Sequence, residues 1–79
     1  MKILFFGITR DIVGKPEFDA GEFKEIGTVG DLRDLLNAKY PRLKDLSSLN
    51  FAINEEFAED SKAISANDEI ALIPPVSGG

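Results

Sequence analysis

Thr28-Val29-Gly30-Asp31-Leu32-Arg33-Asp34-Leu35-Leu36-Asn37-Ala38-Lys39-Tyr40-Pro41 is the stretch on which the fold turns. Val29, Leu32, Leu35, Leu36 and Tyr40 recur at helical spacing, and Asp31, Arg33, Asp34, Asn37 and Lys39 fill the other side. Thr28 has the side chain of an N-cap. Asp31, three residues on, comes close to a capping box, although Glu or Gln is the more usual partner. Pro41 ends the helix around Tyr40, because the residue before a proline is pushed out of the α region. The charged side reads as a solvated face.

A single amphipathic helix must bury its stripe, and the rest of the chain offers it only a sheet. Residues 2–9 are rich in Ile, Leu and Phe and nearly continuously apolar, which suits a central strand covered on both faces. Gly7 inside this run marks a bulge or a close backbone approach. Neighbours on a strand point to opposite faces, so one of Phe5 and Phe6 belongs to the core and the other is a candidate contact. Residues 10–16 read as a connection punctuated by Gly14 and Pro16. Residues 17–25 read as an outer strand, with Phe18 and Phe23 spaced through it and Gly21 interrupting it.

Beyond the helix, residues 42–48 form a turn or a short helical piece, and residues 50–53 a short strand. Asn54-Glu55 is a turn pair leading into residues 56–59, a tight hairpin. Asn67-Asp68 turns the chain into an apolar last strand over residues 69–74. The order is strand, strand, helix, strand, short strand, strand. The first and last strands are apolar on both faces and belong side by side in the middle. This is an α+β chain with the β-grasp arrangement seen in ubiquitin: a mixed sheet of about five strands packed on one main helix. Residues 1–74 form the domain, and residues 75–79 an extended, flexible C-terminal tail.

Composition narrows the chemistry. At 79 residues the chain is one domain. A domain this small buries only about 60% of its unfolded surface, which leaves little room for a deep active site. It has no Cys and no His. That removes a disulfide framework, a thiolate nucleophile, a cysteine metal site, the usual general base and the commonest metal ligand. The net charge of -5 argues against nucleic acid and suits docking to a basic partner surface. Residues 1–8 faintly imitate a signal peptide, but the apolar run is too short and Arg10 and Asp11 follow it. No run approaches the ~20 apolar residues of a membrane span. A cytoplasmic protein with neither nucleic acid nor membrane as partner is expected.

Pro75-Val76-Ser77-Gly78-Gly79 carries the expected chemistry. Gly78 and Gly79 have no side chains and can pass through a channel too narrow for other residues. Pro74 and Pro75 fix φ and bias the residues before them towards extended geometry, so the base of the tail points outward. Its reach is at most roughly 3.3–3.6 Å per residue. A free Gly79 carboxylate is a poor acylating group until adenylation supplies a leaving group. The chain lacks a GxxxxGK[ST] loop, so a separate enzyme would have to bring the ATP site.

Several stretches together resemble the molybdopterin synthase small-subunit (MoaD) family of ubiquitin-like sulfur carriers. They are Ile3-Leu4-Phe5-Phe6-Gly7 with Arg10 and Val13-Gly14, then Thr28-Val29 with Leu32, then Ala52-Ile53-Asn54, and finally Asp68 through Gly79. The resemblance implies that Gly79 is adenylated by a ubiquitin-activating-like enzyme that uses ATP and is converted to a thiocarboxylate with a sulfur donor. It implies that the tail (Gly78, Ser77, Val76 and Pro75 leading to Gly79) enters the large subunit of the synthase in a heterotetramer. There the sulfur passes to cyclic pyranopterin monophosphate and builds the molybdopterin dithiolene. It further implies an apolar contact with the large subunit through Phe6, Phe57 and Ile73, with Arg10 as a polar contact. Ile73 stands where family members often carry an aromatic. No bound cofactor, metal or catalytic side chain is expected on this chain. Three alternatives stay open: a carrier of the thiamine-thiazole type, a protein modifier joined to lysines through Gly79, and a non-covalent β-grasp binding module.

Overall fold

The computed structural model describes residues 1–19, 26–46 and 49–74. Its longest helix, α2 (Val29–Lys39), is fastened at its N-terminus by four separate acceptors. The N–H groups of Val29 and Gly30 donate to the carbonyls of Lys62 and Asp60, at 3.0 and 2.8 Å. Those of Asp31 and Leu32 donate to the side chain and carbonyl of Thr28, at 3.2 and 3.1 Å. No orphan donor of the first turn is left over. Asp31 completes the capping box, its carboxylate accepting the Thr28 N–H at 3.2 Å and the Gly27 N–H at 3.0 Å. A Cβ on Gly30 would stand 3.2 Å from the Asp60 carbonyl, so the missing side chain is what lets that loop close on the helix. Val29, Leu32 and Leu36 are buried, as the helical period requires.

The stripe packs on one face of a five-stranded sheet: β1 (Lys2–Phe5), β2 (Glu17–Asp19), β3 (Asn50–Ile53), β4 (Glu56–Ala58) and β5 (Glu69–Ile73), in the spatial order β2-β1-β5-β3-β4. β1 and β5 run parallel as neighbours, Ile3 opposite Ile70 and Phe5 opposite Leu72. The remaining pairings are antiparallel. Ile3, Phe5, Phe51, Ile70 and Leu72 form the floor of the core beneath α2, and Leu43 from a 3₁₀ turn (Pro41–Asp45) closes one end. The β-grasp architecture expected from the order of elements is the one observed.

Two boundaries differ from the sequence reading, and a third element is described only in part. The run over residues 2–9 is not one strand. β1 stops at Phe5, because Gly7 adopts φ +55° and ψ -131°, a backbone that side chains other than hydrogen resist. Residues 10–16 are not a simple connection either, since a short helix α1 (Ile8–Val13) occupies most of the span. Thr9 makes the change of direction possible. It is fully buried, and its hydroxyl accepts the Phe6 N–H at 2.9 Å and donates to the Phe6 carbonyl at 2.6 Å. β2 covers only the start of the outer strand read over residues 17–25; residues 20–25, with Gly21 and Phe23, lie outside the described residues.

The β3–β4 hairpin has the expected Asn54-Glu55 turn, with φ of +50° and +73°. Asn54 tolerates this backbone and is tied down twice, its side chain donating to Asp68 and accepting from the Glu69 N–H, both at 3.0 Å. Asp68 in turn accepts the Ser65 N–H at 2.8 Å. That bond first, and the Asn54 bond second, hold the Asp68 carboxyl below its ordinary value of 3.8.

Glu55 has no such excuse for a left-handed backbone, which costs an L-residue about 1–2 kcal/mol. Glycine relieves that cost and gives back roughly 0.5–1 kcal/mol in unfolded-state entropy. Glu55→Gly is therefore expected to stabilise the fold by roughly 0.5–1 kcal/mol in urea unfolding; a loss of stability would show that the turn is held in another way. A depressed carboxyl contributes stability that is present above its unfolded pKa and lost as pH falls through its folded one. The gap in melting temperature between the wild type and Asp68→Asn is accordingly expected to be constant near neutrality and to close as pH falls below 3.8. A gap that persists at lower pH would remove Asp68 from the acid response.

Candidate functional site

The helix covers one face of the sheet; on the other face Ala52 is buried, Leu4 and Ala71 are half-buried and Phe57 is exposed. Strand alternation puts Leu4, Ala71, Ala52 and Phe57 on that open face. The registers align them in one row across four strands, Leu4 opposite Ala71, Ala71 opposite Ala52 and Ala52 opposite Phe57. Glu17 on β2 extends the row past Leu4. The side chains run large, small, small, large. Two alanines make a shallow floor about two strand spacings, roughly 10 Å, across, walled by Leu4 on one side and Phe57 on the other. Phe57 is 74% exposed, the most exposed large apolar side chain described.

The parallel pairing of β1 and β5 adds the second feature. Phe6 and Ile73 follow directly on the paired Phe5 and Leu72. Phe6 is half exposed, whereas Phe5 is buried, so the two phenylalanines part as strand alternation predicts. Ile73 is half-buried on the open face, two residues beyond Ala71. At Gly7 the first turn of the chain meets the end of the last strand: a Cβ there would stand 3.0 Å from Cγ of Pro74. Pro74, the last described residue, thus leaves β5 against the Phe6-Gly7 turn. Arg10 projects from α1 beyond this turn and is exposed, with no ion pair among the described residues.

Of the residues singled out from sequence, Phe6 and Ile73 follow on paired positions where β5 ends, Arg10 lies exposed on the short helix after Gly7, and Phe57 stands two strands away on the same face as Ile73. Pro75, Val76, Ser77, Gly78 and Gly79 lie outside the described residues. Sequence reading missed Leu4, Ala52 and Ala71. The signal available was the presence of alanine in two strands otherwise built of large residues, but only the register shows that the two alanines touch the same row. On the far side of that row Glu17 accepts Nζ of Lys2 at 3.0 Å, and this bond holds the ammonium above its ordinary 10.5. Among the described residues no group of three carboxylates converges as a metal site, and no helix is long and apolar enough to cross a membrane.

A five-stranded mixed sheet clasped on one face by a single long helix, with its last strand set parallel beside its first, defines a ubiquitin-like β-grasp protein. The sequence model of the ThiS family matches residues 3–79, and the chain belongs to that family. It is 35% identical over 80 residues to the molybdopterin synthase sulfur carrier subunit of Arabidopsis thaliana, a match that takes in 100% of this chain and 82% of that protein. Among solved structures it superposes on SAMP1 from Haloferax volcanii with a TM-score of 0.76 and 31% identity, covering 100% of this chain and 98% of the other. A putative molybdopterin converting factor subunit 1 from Pyrococcus furiosus shares the fold, with a TM-score of 0.82 at 21% identity and 95% of each chain covered.

An exposed anchor and a core residue separate by stability. Phe57→Ala is expected to change the unfolding free energy by no more than about 0.5 kcal/mol. Leu72→Ala, at a fully buried site, is expected to cost about 2–5 kcal/mol. Denaturant titrations giving comparable losses for the two would mean that Phe57 packs into the body.

Proposed function

We propose that this chain is a sulfur carrier subunit of molybdopterin synthase, with the Gly79 carboxylate as its working group. One observation carries the reading. The parallel β1–β5 pair brings the end of β5 beside Phe6, at one end of a row of apolar side chains on the face away from α2. A body so built can dock by its face while its end enters a partner. The family match and the carrier relatives support the same reading.

The chemistry proposed on Gly79 is an exchange of leaving groups. Attack of a carboxylate oxygen on the α-phosphorus of ATP forms an acyl adenylate and releases pyrophosphate. A sulfur donor then displaces AMP, leaving a thiocarboxylate. Within the large subunit the thiocarboxylate sulfur bonds to a carbon of cyclic pyranopterin monophosphate as an oxygen substituent of that carbon leaves, and water cleaves the resulting thioester, which keeps the sulfur on the pterin and restores the carboxylate of Gly79 for another round. ATP is bound by the activating enzyme. The acid, base and cationic groups for the pterin step are assigned to the large subunit, in a heterotetramer with this chain. Phe6, Phe57 and Ile73 form the apolar contact with it, and Arg10 a polar one. Because activation consumes ATP, the reading places the chain in the cytoplasm.

A second reading follows from the likeness to SAMP1, which is named a small archaeal modifier protein. The same acyl adenylate could instead be passed to a lysine, giving an amide. Conjugates that survive reduction on a denaturing gel would support that role, which is compatible with the first.

Incubation with ATP, the activating enzyme and a sulfur donor is expected to raise the intact mass by the difference between one sulfur and one oxygen. The chain lacking Gly79 should keep its fold, show no gain and fail to support molybdopterin formation. No gain in the full chain with any such enzyme would sink the carrier reading.

A further inference from the structure

The hairpin that carries Phe57 is charged in a way that the apolar contact does not require. Residues 55–60 hold Glu55, Glu56, Glu59 and Asp60, and no Lys or Arg occurs between Lys44 and Lys62. Asp60 is compensated by Nε of Arg33 at 3.0 Å. Glu55, Glu56 and Glu59 are exposed and form no ion pair with any described residue. Glu59 follows directly on β4 and lines the same depression as Phe57. Glu55 sits at the tip, in a left-handed backbone that favours glycine.

Phe57 stands between two shallow depressions. One, of about 410 Å³, is lined by Asn50, Phe51, Phe57, Ala58 and Glu59. The other, of about 400 Å³, includes Glu56, Phe57 and Lys62, and Lys62 is the one cation among the described residues lining either. A partner can therefore close around Phe57 from both sides, and on both sides it meets carboxylate.

This charge selects the occupant. A second copy of the chain pairing through the outer edge of β4 would bring the two sets of glutamates together, the arrangement by which charged edges prevent self-association. A nucleic acid is repelled. We propose that the open face of the sheet docks a protein surface that offers an apolar pocket for Phe57 ringed by Lys or Arg, and that Glu55, Glu56 and Glu59 set the rate and choice of that encounter. On this assignment Phe57 supplies the holding contact, and the glutamates are specificity residues acting at long range. The inference rests on the carrier reading and names the chemistry of its partner.

Stopped-flow association of the full chain with the molybdopterin synthase large subunit of the same organism, from about 25 mM to about 500 mM salt, tests it. The association rate is expected to fall on the order of tenfold or more across that range. The triple variant Glu55→Gln, Glu56→Gln, Glu59→Gln should associate more slowly at low salt, show a nearly flat salt dependence, and dissociate at an unchanged rate. Phe57→Ala should instead dissociate faster and keep the salt slope. A wild-type rate that ignores salt, or a triple variant with the wild-type slope, would overturn the inference and leave the carrier reading intact. Failure to form a complex at any salt would overturn both.

Discussion

The parallel pairing of β1 with β5 is the contact on which the rest of this molecule depends. It joins the beginning of the chain to its end across the middle of the sheet, with Ile3 against Ile70 and Phe5 against Leu72. A parallel pair cannot be closed by a hairpin, so everything between the two strands serves as the crossover. That crossover contains α2, which must lie on one face of the sheet to bury Val29, Leu32 and Leu36. The same pairing sets Phe6 beside the end of β5. The core and the candidate site thus follow from one register, and a slip of one residue would exchange the buried and open sets in β5.

Much of this was legible before any coordinates. The helix announced itself by period and cap, and the two middle strands by apolar runs that no surface strand would carry. Periodicity is a local signal and reports these elements faithfully. What it could not report are features created by contact. Residues 8–13 mix three apolar with three polar side chains over too short a span to show a period, and the turn into the helix is marked by a contact, the buried Thr9 hydroxyl serving both polar groups of Phe6. The row of Leu4, Ala71, Ala52 and Phe57 draws on four strands from three parts of the chain. Each member looks ordinary in sequence. Their meaning lies in the register, which is set by packing against α2 and not by any property of the residues in the row.

The exposed face is a consequence of size as much as of function. Seventy-nine residues supply one long helix, enough to cover one side of five strands. Among the described residues the other α-helix, α1, has only six residues. The chain therefore keeps an apolar surface in water and must avoid pairing with itself. Alanine at positions 52 and 71 limits the apolar area on offer. A short outer strand, three residues in β4, limits the unpaired backbone on that edge. The carboxylates around Phe57 supply repulsion between copies.

These devices also explain how a chain without Cys or His can take part in sulfur chemistry. A carrier has to be recognised, to present one group, and to be released unchanged. Recognition needs a surface that is apolar enough to bind and charged enough to discriminate; the sheet and its hairpin provide the two separately. Presentation needs a fixed point of departure, and the seat of Pro74 against Gly7 provides it with no side chain of its own. Nothing in that list requires an acid, a base or a metal on the carrier.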